Sequence, residues 1–178
     1  MARQVALLRG INLGPNRRIA MPALRELLTD AGFEQVETYV QSGNVVLLTE
    51  LGPEELEREI ERLIATDFGF DVDVVARTRD QLAAIVERNP LGDVAENPKR
   101  YQVSFLSDEL DPERLQALAA AAVEPERFVA LGRELYAWHP EGVARSRLWA
   151  KLAGAGLGVK ATARNWTTVT TLLAMASS

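Results

Sequence analysis

Apolar positions in the first half of the chain change their spacing in a regular order. Short apolar runs predict four strands, at 4–9, 36–41, 45–49 and 72–76. Between them, apolar residues three and four apart predict two helices, beginning near Pro22 and Pro53, where proline is favoured at a first helical position. The order is βαββαβ, the ferredoxin-like split βαβ arrangement, and a further helix is predicted at 79–88.

The second half of the chain repeats this order of predicted strands and helices. It predicts strands at 101–106, 127–131 and 134–138, and helices after Asp111, over 146–154 and near Asn165. Aligned by element, Gln4-Val5 matches Gln102-Val103, Gly43 matches Gly132, and FDVDVVAR (70–77) matches LGVKATAR (157–164). These matches predict an α+β protein whose second subdomain is a degenerate repeat of the first.

The best candidate linker is the segment 91–98, LGDVAENP, which is rich in Gly, Pro and polar residues. The predicted organisation is therefore a ferredoxin-like subdomain at 1–90 and a second α+β subdomain at 99–178, packed on the first.

Composition excludes several kinds of chemistry. The 178 residues are 47% hydrophobic and 25% charged, which is typical of globular proteins and argues against disorder or a membrane span. The absence of cysteine excludes disulfides, zinc–thiolate sites and cysteine nucleophiles, and a single histidine excludes a His-rich metal site. We expect no metal and no cofactor. The strand-like QVALLRG lacks a signal pattern, so a cytoplasmic location is expected.

The charge is distributed unevenly. The net charge is −5, yet residues 1–25 and residues 142–178 each contain five basic residues and no acidic one. The middle of the chain therefore holds all 25 acidic residues. Such asymmetry is a clue to an anionic partner, although the basic ends could instead pair with the acidic middle in the folded chain.

The loop after the first strand, RGINLGPNRR, is the first candidate site. It lies between a strand and a helix, where α/β proteins place phosphate-binding backbone amides. Its spacing matches neither GxxxxGK[ST] nor GxGxxG, so no nucleotide-binding fingerprint is met. The candidate ligand-binding residues here are Arg9, Gly10, Asn12, Gly14 and Arg17.

The predicted hairpin turn QSGN supplies three further candidates. Gly43, and Asn44 with it, are explained by turn geometry alone, whereas Gln41 and Ser42 are not required by the turn and could hydrogen-bond a ligand. Gln41, Ser42 and Asn44 are therefore included in the predicted site.

The basic C-terminal part adds the last candidates, Arg145, Arg164, Asn165 and Trp166. Asn165 has a structural explanation as a helix N-cap, and Trp166 could belong to the core. Arg164 is predicted at a helix N-terminus, where a cation is unfavourable unless an anion is present, so it is the strongest single candidate.

Three other features are given structural interpretations. His139 is expected at the surface, because no Ser or Asp pattern beside it indicates a catalytic triad. GAGLG (154–158) follows a helix and precedes a strand, the wrong order for a dinucleotide site, and is interpreted as a helix stop. The acidic clusters at 54–61 and 108–113 are interpreted as solvated faces, so nothing nominates a general acid or base.

Four blocks in this order, VALLRGINLG, TYVQSGNVV, RSRL and ARNWTTV, resemble the signature of a bacterial family, domain of unknown function 1697. The resemblance spans about residues 3 to 174. It implies an α+β protein of two subdomains, the first of them ferredoxin-like. It implies no activity, substrate or catalytic residue.

The leading functional hypothesis is a module that binds a phosphate-bearing or other anionic partner, nucleic acid or a nucleotide-like ligand, at a basic site between the subdomains. An enzyme acting on a small anionic metabolite, and a structural or oligomerisation protein without a ligand, are the alternatives. The sequence leaves open whether a reaction is catalysed and whether the chain forms a homo-oligomer.

Overall fold

A computed structural model describes residues 1–153 and 156–178 and groups them into two compact units. Unit 1 comprises Met1–Ala84 with Leu172–Ser178, and unit 2 comprises Ile85–Thr171. These bounds differ from the predicted 1–90 and 99–178, because composition follows the chain whereas compact units are defined by contacts in space.

Unit 1 is built on a four-stranded antiparallel sheet in the order β2-β3-β1-β4. This is the ferredoxin-like order that the sequence predicts. Its elements are β1 (Ala2–Leu8), α1 (Met21–Asp30), β2 (Glu34–Tyr39), β3 (Asn44–Thr49), α2 (Pro53–Phe68) and β4 (Val74–Thr78). Helix α3 (Arg79–Arg88) follows β4, and the division between the units falls within it.

The core of unit 1 lies between one face of this sheet and the two helices that the apolar spacing predicts. Alternate strand residues contribute to it, among them Ala6, Leu8, Val45 and Leu47, because successive side chains of a strand point to opposite faces. Helix α2 begins at Pro53, and Gly69 ends it in a left-handed conformation with φ +78°.

Unit 2 has the same topology, with the strand order β6-β7-β5-β8. Its elements are β5 (Tyr101–Leu106), α4 (Pro112–Ala121), β6 (Arg127–Leu131), β7 (Glu134–Trp138), α5 (Arg147–Ala153), β8 (Ala161–Asn165) and α6 (Trp166–Ser177). Asp111 caps α4, since its carboxylate accepts a hydrogen bond from the Arg114 amide at 2.8 Å. The core joins α4 and α5 to the sheet through Leu106, Leu118, Leu135 and Leu148.

Strand register confirms the repeat and corrects one of the matched positions. Gln4 pairs with Thr78 and Gln102 with Asn165, so the two glutamines are equivalent. The predicted match of Gly43 with Gly132 is wrong by one position. The Gly43 carbonyl accepts from the Leu8 amide, and its equivalent, accepting from Leu106, is Arg133, both at 2.9 Å. The cause is turn length, because residues 40–43 lie between β2 and β3, whereas Gly132-Arg133 alone lies between β6 and β7.

Two further observations concern the described ranges. Helix α5 ends at Ala153, and the predicted helix stop at 154–158 begins with Gly154 and Ala155, which lie outside the described residues. No helix in those ranges is long and apolar enough to cross a membrane.

Candidate functional site

Asn12 holds the loop after β1 in a fixed shape. Its backbone is left-handed, with φ 58°. Its side-chain amide donates to the carbonyls of Ile19 at 2.9 Å and Gln41 at 2.7 Å, and its oxygen accepts from the Ile19 amide at 2.9 Å. Both hydrogens of the amide nitrogen are therefore used within unit 1, and Asn12 positions the loop beside the β2–β3 turn instead of offering those donors to a ligand.

Two arginines on this loop, Arg17 and Arg18, are exposed and donate hydrogen bonds to backbone carbonyl oxygens. The Arg17 guanidinium donates to the carbonyl oxygen of Asp71 and lies 5.2 Å from the ring centroid of Phe70. Arg18 donates to the carbonyl oxygen of Gly14 at 3.3 Å. In the described part of the chain neither forms an ion pair with a carboxylate. Their positive charges are oriented by the backbone and by an aromatic face, and stay available to an anion.

The β2–β3 turn combines buried structural residues with exposed polar ones. Asn44 is fully buried, and its amide donates to the Tyr39 carbonyl at 3.1 Å and to Ser42 Oγ at 2.9 Å. It was predicted as a ligand contact, but turn geometry uses it inside the fold. Gln41 and Ser42 are exposed.

The remaining candidate residues of the loop are Arg9, Gly10 and Gly14. Gly10 is exposed with φ +69°, and Gly14 has no neighbouring atom within 4 Å of the place a Cβ would take. Arg9 is half-buried, and its backbone amide donates to the Asp73 carbonyl at 3.0 Å. We call residues 9–18 together with 40–43 the unit 1 loop surface.

Arg164 lies within β8, not at the start of a helix, which corrects the prediction. It pairs with Val103 and is 8% exposed, and Nη1 donates to Thr162 Oγ1 at 2.6 Å and to the Ala163 carbonyl at 2.9 Å. Burial lowers the pKa of Arg164 to about 10, so the guanidinium is still charged at neutral pH.

The equivalent residue of unit 1 is also a buried arginine. Arg77 pairs with Val5, is 2% exposed, and donates from Nη1 to the carbonyl of the preceding Ala76 at 2.9 Å. Both repeats thus carry an arginine at one register position with one local hydrogen bond in common. Because both repeats bury an arginine at this position, the burial of Arg164 has a structural explanation in the repeated fold.

Asn165 and Trp166 are likewise engaged within unit 2. The Asn165 side-chain oxygen accepts from the Thr168 amide at 2.9 Å, which confirms its role as a helix cap. Trp166 stacks on Tyr101, with ring centroids 4.7 Å apart and planes inclined by 22°. Asn165 caps the first turn of α6, and Trp166 packs that turn against β5.

The last predicted residue, Arg145, lines a cleft of about 720 Å³ in unit 2 together with Arg147. Both arginines are exposed, and within the described residues neither side chain has a hydrogen-bond or ion-pair partner. The cleft lies between the chain segments that precede β6 and α5.

His139, expected at the surface, is fully buried behind this cleft. Its Nδ1 lies 2.6 Å from Glu126 Oε2, to which Ser146 Oγ also donates at 2.6 Å. The rings of His139 and Trp149 are nearly perpendicular, and their centroids lie 5.9 Å apart. This is not the arrangement of a catalytic triad, since serine and carboxylate both lie at Nδ1, and Nε2 is buried and has no hydrogen-bond partner among the described residues.

Glu126 is the residue that sequence reasoning missed. It lies in the turn before β6, 13 residues from His139 and 20 from Ser146, and no motif spacing joins the three. In the described residues, no group of three His, Asp or Glu side chains could hold a metal ion.

The structure thus places Arg9, Gly10, Asn12, Gly14, Arg17, Gln41 and Ser42 on or beside one surface of unit 1. In unit 2 it places Arg145 in the cleft and Arg164, Asn165 and Trp166 at the junction of β8 and α6. That the two groups form one site stays a prediction.

Two repeated ferredoxin-like units, each followed by a helix, define an α+β protein with an internal duplication. The chain belongs to the family described as "Protein of unknown function (DUF1697)", which matches residues 1–136. A solved structure, "conserved bacterial protein SP0830 from Streptococcus pneumoniae", is similar with a TM-score of 0.78 at 23% identity over 98% of each chain, and this likeness shows the fold. No curated protein matches the chain.

Proposed function

We propose that the protein binds a phosphate-bearing or other anionic partner through the unit 1 loop surface. The observation that carries the proposal is the pair Arg17 and Arg18, exposed on a loop that Asn12 holds and not paired with carboxylates in the described residues. Oriented guanidinium groups bind phosphate through charge-assisted hydrogen bonds, and little entropy is lost when their side chains are already held.

The partner favoured by this surface is nucleic acid or a nucleotide-like ligand, held mainly through its phosphates. Base-specific recognition of RNA on ferredoxin-like sheets commonly relies on exposed stacking aromatics. Here Tyr101 of β5 is 1% exposed and stacked on Trp166, and Tyr39 of β2 is half-buried, so neither strand presents a fully exposed ring to a base. We therefore expect binding with little sequence preference and strong dependence on salt.

The test is a fluorescence-anisotropy titration of labelled single- and double-stranded oligonucleotides, with ATP as a competitor. We compare the wild type with Arg17→Ala/Arg18→Ala and with the matched control Arg58→Ala/Lys151→Ala. The control removes two exposed charges from helices α2 and α5. We expect at least tenfold weaker binding for the loop variant and less than twofold change for the control.

Two outcomes contradict the proposal. One is equal affinity of the two double variants for every probe. The other is an affinity that does not change between low and moderate salt. The alternatives, an enzyme acting on a small anionic metabolite and a protein without a ligand, stay predictions.

A further inference from the structure

The cleft of unit 2 has the size of a small-molecule site and a wall rich in charged side chains. Its volume of about 720 Å³ is within the range of about 300–1,000 Å³ found for ligand pockets. Glu126 and Ser146 line it from opposite segments, and the hydrogen bond between them joins those segments at 2.6 Å.

The carboxylate of Glu126 is held so that one oxygen stays open. Oε2 is occupied by His139 Nδ1 and Ser146 Oγ, each at 2.6 Å. Oε1 has no protein donor in the described residues and is not among the buried unpartnered atoms, although the side chain as a whole is only 13% exposed. A carboxylate oriented in this way can accept a hydrogen bond from a hydroxyl or ammonium group without reorganisation.

The rest of the wall carries two arginines and two further carboxylates, Glu124 and the exposed Glu141. Arg145 and Arg147 are exposed in the cleft without partners in the described part of unit 2. Glu124, which also lines the cleft, is already paired with Arg127 at 2.6 Å. Guanidinium groups and an open carboxylate in one cleft favour a ligand that carries both an anionic group and a hydrogen-bond donor.

We propose that this cleft binds a small organic anion that also bears hydroxyl or ammonium groups, with Glu126 Oε1 accepting from the donor and Arg145 and Arg147 binding the anion. The site is independent of the proposed function of the unit 1 loop surface, since it uses other residues in the other unit. His139 is a positioning residue in it, because its ring orients the carboxylate from behind.

The experiment is isothermal titration calorimetry of the full chain with probes that separate the two requirements. Glucose 6-phosphate carries an anion and hydroxyls, glycine carries an anion and an ammonium group, and glucose and sulfate each lack one requirement. We expect at least one of the first two probes to bind tenfold or more tightly than both single-function probes. Comparison of those two distinguishes a hydroxyl donor from an ammonium donor.

Substitutions in the cleft test whether the probes bind there. Arg145→Ala/Arg147→Ala changes exposed side chains, and we expect it to weaken binding of the preferred probe at least tenfold. Glu126→Gln should weaken it as well, and its melting temperature shows whether the fold is kept. Arg17→Ala/Arg18→Ala serves as the control that leaves this cleft intact, and we expect unchanged binding.

The proposal is overturned if neither two-function probe binds at millimolar concentration, if sulfate binds as tightly as the preferred probe, or if Arg145→Ala/Arg147→Ala binds like the wild type. Because the loop variant is tested in parallel, failure here is separate from failure of oligonucleotide binding by unit 1.

Discussion

At Gly43 the backbone has φ +86°, and a Cβ placed there would lie 2.7 Å from the Cβ of Leu8. Glycine is required at this position for two reasons, the left-handed backbone conformation and the short distance to Leu8 of β1. Gly10 shares the first requirement, with φ +69°, but has nothing within 4 Å of its Cβ position. Residues on one loop surface therefore differ in what they cost to replace.

We predict that Gly43→Ala lowers the free energy of unfolding by about 2–4 kcal/mol, through strain and overpacking together. Gly10→Ala should cost about 1 kcal/mol, since strain acts alone. Urea denaturation measures both. Gly14→Ala, where neither requirement applies, is the control and should change the free energy of unfolding by less than about 0.5 kcal/mol. Equal losses at Gly43 and Gly10 would contradict the close packing.

Individual residues were the least predictable level. Turn chemistry indicated Gly43 correctly, because a left-handed position has a local signature. The burial of His139 has no such signature, because it depends on Glu126 and Ser146, which the fold brings together. Arg164 was placed at a helix start because β8 and α6 adjoin at Asn165, and sequence alone did not show on which side of that boundary the arginine lies.

At the scale of elements, the two repeats carry the same buried arginine on their last strands. Because Arg77 and Arg164 occupy one register position, we predict that Arg77→Ala and Arg164→Ala destabilise the protein similarly, each by about 2–4 kcal/mol, through lost packing and lost hydrogen bonds. Calorimetric melting temperatures measure this. Exposed Arg58→Ala is the control, and a loss confined to Arg164 would contradict a shared structural role.

The contact between β5 and α6 gives a pH-dependent prediction. Burial raises the pKa of Tyr101 to about 12, from an ordinary value of 10. Between pH 10 and 12 the unfolded chain has lost this proton while the folded chain keeps it, so stability falls as pH rises. In Tyr101→Phe this contribution is absent.

We therefore expect the stability of Tyr101→Phe to decline less steeply than that of the wild type from pH 10 to 12, with parallel curves below pH 9. Urea denaturation at each pH provides the comparison. Burial also raises the pKa of Tyr136 and lowers that of Arg164, and both groups are present in both proteins. Tyr101 adds a smaller increase to the pKa of Tyr136, so this effect of Tyr101 is lost in the variant as well. Parallel curves throughout would show that Tyr101 titrates normally.

Elements were predicted more reliably than residues, since apolar spacing reports directly on helix and strand faces. Helix α2 begins at the predicted Pro53, and β5 has its predicted bounds. Strand β4 begins at Val74, two residues later than expected, because Val72 is apolar without belonging to the strand. Periodicity identifies the buried positions, whereas hydrogen bonds set the ends.

At the scale of the whole molecule, unit 1 is discontinuous in sequence. Its second segment, Leu172–Ser178, contains Leu172 and Ala176, both nearly inaccessible to solvent, and the Met175 carbonyl accepts from Arg3 Nη2 at 2.9 Å. The composition of the sequence predicts a boundary between subdomains at the linker 91–98. It cannot predict the second segment of unit 1, since no local signal shows that a C-terminal segment contacts the N-terminal strand.

We predict that removing Leu172–Ser178 destabilises unit 1, because buried apolar surface contributes about 1.5–3 kcal/mol for a leucine-sized side chain. Hydrogen–deuterium exchange followed by mass spectrometry should show faster exchange in β1 and β3. Deletion of Ser178 alone is the control and should leave exchange unchanged. Protection of unit 1 equal to that of the intact chain would contradict the assignment of this segment.

The discontinuity has a consequence for synthesis of the chain. The ribosome makes Met1–Ala84 before unit 2, yet the seven residues that belong with it, Leu172–Ser178, are made after unit 2. Unit 1 therefore stays incomplete through the whole translation of unit 2, and its N-terminal segment acquires its full set of native contacts only after Leu172–Ser178 has emerged from the ribosome.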